Sequence, residues 1–125
     1  MLITALDHVQ IAAPAGSEDA MRAFYCGVLG CREVAKPAQL ASRGGLWLDC
    51  GNMQMHIGID TPPPSNASSR RHVAFLVNDM EQVRAALQRA GAAIEEDTAP
   101  LDDCARCYTR DPAGNRIEFL RRRAT

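Results

Sequence analysis

The chain has 125 residues, of which 46% are hydrophobic and 23% charged, and its formal net charge is -1 at pH 7. This near-neutral balance gives no electrostatic reason to expect nucleic acid or an anionic membrane as a partner, so small molecules and other proteins remain. No apolar run approaches the length of a membrane span, and residues 1–4 lack the pattern of a signal peptide. We therefore expect a cytoplasmic protein.

The five cysteines, at positions 26, 31, 50, 104 and 107, are an odd number spread over the chain, which does not suggest a disulfide framework. We expect reduced thiols, as is usual in the cytoplasm. Cys104 and Cys107 form a CxxC motif, but they fall in a strand-like segment. Their odd spacing sends the two side chains to opposite faces of a strand, which disfavours a zinc knuckle or a redox pair there.

The first half of the chain reads as a strand, a helix and three further strands. Residues 6–12 alternate as a strand does, and a helix begins near Ser17, which we expect to act as its N-cap, and stops at Gly30. Three short strand-like segments follow at 33–35, 46–50 and 53–59. A linker rich in proline and serine then covers 61–70 and separates the two halves.

The second half repeats this plan. A strand at 71–77 restarts the opening pattern, Asp79 caps a helix that ends at Gly91, and three strands follow, at 93–95, 105–109 and 116–120. We therefore predict an α+β fold of two tandem βαβββ modules with curved mixed sheets. Module 1 covers about 1–60 and module 2 about 71–122, and together they form one domain over residues 1–125.

Strand alternation places metal-binding side chains at matching positions of the two modules. In the first and last strands of each module, the apolar residues share one face, and the other face holds ligand-type groups. These groups are His8, His56, His72 and Glu118. Because the three histidines are the only ones in the chain and all lie at repeat-matched positions, we predict one divalent metal site. Imidazole and carboxylate together suit Zn, Ni, Fe, Co or Mn better than Mg or Ca.

Four segments carry a resemblance to a known family: 6–9, 24–30, 71–74 and 111–118. With them the whole chain resembles the vicinal oxygen chelate superfamily, which contains glyoxalases, bleomycin resistance proteins and extradiol dioxygenases. The resemblance implies that His8, His56, His72 and Glu118 are the metal ligands. One departure is His56, since glyoxalase lyases usually have a carboxylate at this position, and the dioxygenases and fosfomycin-modifying transferases use only the other three.

The resemblance also implies the chemistry of the site. A metal in this family acts as a Lewis acid on a substrate that chelates it through two neighbouring oxygens. We expect Glu118 and His56 to be catalytic, each as a base on one side of the substrate. By strand alternation, Gln10, Gln54, Arg106 and Tyr108 are candidates for substrate binding. Trp47 falls on the same face as the ligands if the Gly-Asn turns at 51–52 and 114–115 align the two hairpins.

The leading interpretation is a metal-dependent lyase, isomerase or dioxygenase that acts on a small oxygenated molecule. The alternative is a protein of the bleomycin-resistance type, which sequesters a drug without catalysis. Since one curved module has free sheet edges and too few residues to close a cavity, and since small relatives usually dimerise, we expect a homodimer. Its metal sites would be shared, with module 1 of one chain completing module 2 of the other.

Overall fold

The computed structural model describes residues 1–123. These residues fold as two compact units, which divide between Pro64 and Ser65 inside the predicted linker. Each unit contains one four-stranded sheet. The α+β fold of two βαβββ modules, which the sequence predicts, is therefore confirmed.

The first unit follows the predicted order of elements. Its helix α1 spans Glu18–Arg22, and its strands are β1 (His8–Pro14), β2 (Arg32–Val34), β3 (Leu46–Cys50) and β4 (Met53–Asp60). The sheet order is β1-β4-β3-β2, in which β1 runs parallel to β4 and the other pairs are antiparallel. The closing strand of the module therefore lies beside its opening strand, and this brings the two predicted histidines of this unit onto adjacent strands.

The second unit has the same topology. Its helix α2 spans Met80–Arg89, and its strands are β5 (His72–Leu76), β6 (Glu95–Glu96), β7 (Cys104–Arg110) and β8 (Arg116–Arg122). The order is β5-β8-β7-β6, again with one parallel pair between the first and last strands. The strand order is thus identical in both units, as expected from the internal repeat in the sequence.

The two helices differ at their ends. Asp79 caps α2 as predicted, because its carboxylate accepts hydrogen bonds from the backbone N–H groups of Glu81 and Gln82. Ser17 is the N-cap residue of α1 as predicted, but its side chain makes no capping hydrogen bond. The Ser17 hydroxyl instead donates a 2.6 Å hydrogen bond back to the carbonyl of Pro14, so it closes the turn that precedes α1.

The helix predicted from Ser17 to Gly30 changes type along its length. After α1 it widens into a π-helical segment at Ala23–Val28. The sequence did not predict the 3-10 helix at Ala38–Arg43, which fills the connection between β2 and β3. Gly45 ends that connection with a positive φ of 80°, and a Cβ at this position would lie 2.1 Å from the carbonyl oxygen of Ile57. Only glycine permits this close approach of β3 to β4.

The core of each unit consists of one helix face and the apolar face of the sheet. In the first unit Met21, Tyr25 and Leu48 are fully buried, and in the second Leu87 and Ile117 are nearly so. Burying a side chain of this size stabilises the fold by about 1.5–3 kcal/mol. The opposite face of each sheet is left free for polar groups. Among residues 1–123 no helix is long and apolar enough to span a membrane.

Candidate metal centre

The polar face of the first unit carries a stack of three rings. His56 on β4 pairs with Trp47 on β3, and their rings lie parallel at 3.9 Å between centroids. The His8 ring covers the other side of His56 at 4.0 Å, tilted by 20°. Trp47 therefore lies on the same face as His56, as expected if the two hairpins align. His8 and His56 are therefore neighbours.

His8 is oriented by the residue that precedes it. Its Nδ1 lies 2.7 Å from a carboxylate oxygen of Asp7. Because an ionised carboxylate can only accept, this contact puts the proton of neutral His8 on Nδ1 and leaves the lone pair on Nε2. A carboxylate or carbonyl behind the second ring nitrogen is the usual arrangement for a histidine that binds a metal.

His56 has different surroundings. It is 5% exposed, and its Nε2 lies 3.1 Å from the side-chain oxygen of Gln54, to which it donates. Burial, together with the nearby ring of His8, lowers the pKa of His56 and favours the neutral imidazole. The His8 and His56 rings are stacked, so in this arrangement the lone pairs of their nitrogens would not converge on one ion. One of the two rings must turn before both can bind the same ion.

The two predicted substrate-binding glutamines lie on this face as well. Gln54 is engaged with His56, and Gln10 pairs with His56 in the parallel ladder between β1 and β4. The Gln10 side chain lies over Gly58, where an added Cβ would be 2.5 Å from its Nε2. The missing side chain at position 58 therefore makes room for the Gln10 amide.

In the second unit, His72 and Glu118 face each other. The Nδ1 of His72 lies 2.9 Å from the carbonyl oxygen of Arg70, so in the neutral ring Nδ1 donates and Nε2 keeps the lone pair. That Nε2 is 3.4 Å from Oε1 of Glu118. Two acceptor atoms at this separation repel each other unless a cation lies against both or the histidine is protonated. This pair is the strongest cation-binding feature of the second unit.

Glu118 is buried, with 6% of its surface exposed, and two further predicted residues surround its carboxylate. Tyr108 on β7 pairs with Glu118 in the ladder between β7 and β8, so both side chains lie on the same face of the sheet. Burial, and next the neighbouring carboxylate of Glu118, raise the pKa of Tyr108, so the phenol keeps its proton. The guanidinium of Arg106 approaches Glu118 to 3.9 Å.

Arg106 is held by a residue that the sequence did not single out. Asp97 accepts two hydrogen bonds from it, at 2.8 and 3.0 Å, and the carbonyl of Ala99 accepts a third. The contact with Asp97 raises the pKa of Arg106 and lowers the pKa of Asp97, so both stay charged. The role predicted for Arg106, binding a substrate carboxylate, is thus limited to its remaining donor group, which is the one that approaches Glu118.

Arg116 was not predicted either, and it completes this face. Its guanidinium lies over the ring of Tyr108, 4.0 Å from the centroid, and it also contacts the carboxylate of Glu95. This cation–π contact fixes the tilt of the phenol. In the sequence, the position of Arg116 two residues before Glu118 was the only sign that both share a face.

The four predicted ligands therefore occur as two pairs, one in each unit. In residues 1–123 no three His, Cys, Asp or Glu side chains come together as a complete metal site. The donor set nevertheless fits a divalent transition metal, because His8 and His72 both present Nε2 and Glu118 adds one anionic oxygen. The ligand roles of all four residues remain predictions.

Comparison with known proteins identifies the family. A model of the Glyoxalase/Bleomycin resistance protein/Dioxygenase superfamily matches residues 5–119, and the chain belongs to this superfamily. A solved glyoxalase family protein from Bacillus anthracis is 41% identical, with a TM-score of 0.89 over 98% of each chain. The resemblance that the sequence indicated is thereby confirmed. A search of curated protein sequences gave no significant match.

Two more distant solved structures share the fold. Lactoylglutathione lyase from Agrobacterium tumefaciens is 20% identical, with a TM-score of 0.72 over 97% of this chain and 96% of the other. The fosfomycin resistance protein of Listeria monocytogenes is 12% identical, with a TM-score of 0.78 over 94% and 91%. At these identities the likeness extends to the fold alone. The fold therefore leaves several reactions open.

Proposed function

We propose that this chain is a divalent-metal-dependent enzyme acting on a small molecule that chelates the metal through two neighbouring oxygens. The observation that carries the proposal is the pair His72 and Glu118, whose acceptor atoms face each other at 3.4 Å while a backbone carbonyl fixes the histidine tautomer. His8, oriented by Asp7 in the same way, supplies the third donor. Two imidazoles and one carboxylate leave open positions for a bidentate substrate.

When bound, the metal supplies Lewis-acid stabilisation of the negative charge that develops on the substrate oxygens. Zn, Ni, Fe, Co and Mn all suit this donor set. The protein residues provide orientation and proton transfer. The Tyr108 hydroxyl keeps its proton and can accept a hydrogen bond from a substrate hydroxyl, and Gln10 offers both a donor and an acceptor on the face of the first unit.

In this proposal, Glu118 and His56 are the residues that accept and transfer protons. Glu118 is a buried carboxylate, so it can take a proton from a bound substrate with little competition from bulk water. His56 is held neutral by burial and is therefore in the state that accepts a proton. A lyase or isomerase needs such a base, so we favour these classes over a dioxygenase.

We propose further that the active form is a homodimer in which each site takes His8 and His56 from one chain and His72 and Glu118 from the other. The proposal is supported by the division of the ligands into two pairs on separate sheets. It is also supported by the exposed apolar side chains of Leu6 and Leu76, which are 73% and 71% accessible. Apolar side chains at a sheet edge favour association with a second copy.

Mixing two inactive variants tests both proposals together. His8→Ala and Glu118→Ala are each expected to lose metal binding as homodimers. After subunit exchange, a shared site gives one intact site in every heterodimer, and Co(II) or Zn(II) binding returns. No return of binding despite proven exchange would place each site within one chain, and full binding by either variant alone would contradict the metal site.

The alternative function is the sequestering of a drug without catalysis, and it must be distinguished from the enzyme. If the metal-loaded protein binds small oxygenated ligands but converts none of them, the binding function is supported and the enzyme is not. Metal analysis of protein purified without a histidine tag is the first measurement, with equimolar metal as the expected result. We propose a cytoplasmic location, and the odd number of cysteines spread over the chain supports this proposal.

A further inference from the structure

Two cysteines that are distant in the sequence lie side by side in the first unit. The sulfur atoms of Cys31 and Cys50 are 3.0 Å apart. Cys50 is the last residue of β3, and Cys31 directly precedes β2. Arg32 pairs with Asp49 in this antiparallel ladder, so Cys31 and Cys50 occupy the next rung.

This geometry suits a disulfide. Residues directly opposed in an antiparallel pair have Cα atoms about 4.5–5.5 Å apart, and disulfides bridge Cα separations of about 4.4–6.8 Å. An ion pair between Arg32 and Asp49 fixes the neighbouring rung. The two sulfurs therefore need to approach by only about 1 Å to reach bonding distance.

The two thiols are not equivalent. Cys31 is half-buried, whereas Cys50 is 8% exposed. The hydrogen bond between them lowers the pKa of Cys31 and raises the pKa of Cys50. Cys31 is thus both the more exposed residue and the one whose thiol more readily becomes the nucleophilic thiolate, and Cys50 is placed to react second.

We propose that Cys31 and Cys50 form a peroxide-sensitive dithiol that closes reversibly to an intramolecular disulfide. In the first step the Cys31 sulfur attacks hydrogen peroxide, the O–O bond breaks, and a sulfenic acid and one water form. In the second step the Cys50 sulfur attacks the sulfenic acid, the S–O bond breaks and a second water leaves with the Cys50 proton. One peroxide is reduced and two thiols are oxidised.

The crosslink would act on the segment that supports the candidate metal centre. It closes the chain between positions 31 and 50, which contains the 3-10 helix at Ala38–Arg43 and strand β3. Strand β3 carries Trp47, whose ring supports His56. Closing this loop restricts the unfolded chain, so the oxidised protein is expected to unfold at a temperature roughly 5 °C or more above the reduced protein.

The test is a peroxide titration of the reduced full-length protein, followed by alkylation and mass spectrometry. With equimolar peroxide we expect the loss of two alkylatable thiols, a mass lower by two hydrogens, and one crosslinked pair of peptides containing positions 31 and 50. Dithiothreitol should restore all five thiols. Oxidised glutathione should give the same crosslink through a mixed disulfide at Cys31.

Three variants separate this assignment from its competitors. Cys50→Ser should stop at a sulfenic acid on Cys31 that dimedone traps, and Cys31→Ser should oxidise at least about tenfold more slowly. Cys26→Ser is the matched control, because Cys26 is the neighbouring half-buried thiol, and its loss should leave the crosslink unchanged. A crosslink to Cys26, a disulfide between chains, or oxidation of Cys104 or Cys107 before Cys31 would overturn the proposal.

Discussion

The two units have one topology but different chemistry at matching positions. Where the first unit has Trp47 opposite His56, the second has Tyr108 opposite Glu118. The first pair is a stack of flat, uncharged rings, and the second is a carboxylate beside a phenol. The repeat therefore conserves the places where side chains point and not the groups themselves.

This difference indicates that the two units have different roles in the proposed site. A stack of aromatic and imidazole rings keeps His56 neutral and restricts the orientation of His8. A buried carboxylate near Arg106 and His72 provides the negative charge that a divalent cation requires. We infer that in the proposed site the second unit supplies the negative charge and the first unit supplies a neutral imidazole donor.

The largest expected effect comes from the anionic donor. Glu118→Ala should weaken Co(II) or Zn(II) binding by more than about 100-fold and abolish metal-dependent turnover, because loss of a ligand exceeds the 10- to 100-fold effects of outer residues. Titration calorimetry measures the affinity, and far-UV circular dichroism should show an unchanged fold. Glu81→Ala is the control, since this exposed carboxylate lies in the first turn of α2 and not on the sheet. Equal losses in both variants would contradict a specific site.

The next largest effects should distinguish the roles of the two histidines of the first unit. His8→Ala should abolish metal binding, whereas His56→Ala should cost about tenfold, because it removes the ring that supports His8 without removing the donor that Asp7 orients. The same calorimetric titration compares them. If both variants lose binding equally, His56 is a ligand of the metal and its ring must turn out of the stack.

Much of this arrangement could be predicted from the sequence, because strand alternation assigns faces without knowledge of register. The positions of His8, His56, His72 and Glu118 on the polar faces follow from it, as does the α+β repeat. Those assignments depend only on the period of a strand, which is fixed by backbone geometry.

The contacts that the sequence did not predict depend on strand register across long connections. Asp97 holds Arg106, and Cys31 lies beside Cys50, because each pair extends an antiparallel ladder by one rung. The connections between these strands are not tight turns, and one of them contains the 3-10 helix at Ala38–Arg43. Loop length therefore did not fix the pairing, and neither pair could be read from spacing.

A smaller effect is expected from the residue that holds Arg106. Asp97→Asn removes the negative partner and frees the guanidinium to bind Glu118, which would compete with the metal. We expect metal affinity to fall several-fold and no more than about tenfold. Adding Arg106→Gln should restore the affinity, because the competing cation is then absent. If the double variant is weaker than Asp97→Asn, Arg106 supports the site instead of competing for it.

The smallest effect should come from Asp7. Its carboxylate orients His8 through Nδ1, but its side chain is 96% exposed, so water replaces much of the interaction. Asp7→Asn should therefore reduce metal affinity by at most about fivefold, which corresponds to about 1 kcal/mol for an exposed ionic contact. The reduction should shrink further in 1 M salt, where the screening length is about 3 Å. A loss as large as that of His8→Ala at both salt concentrations would show that Asp7 itself binds the metal.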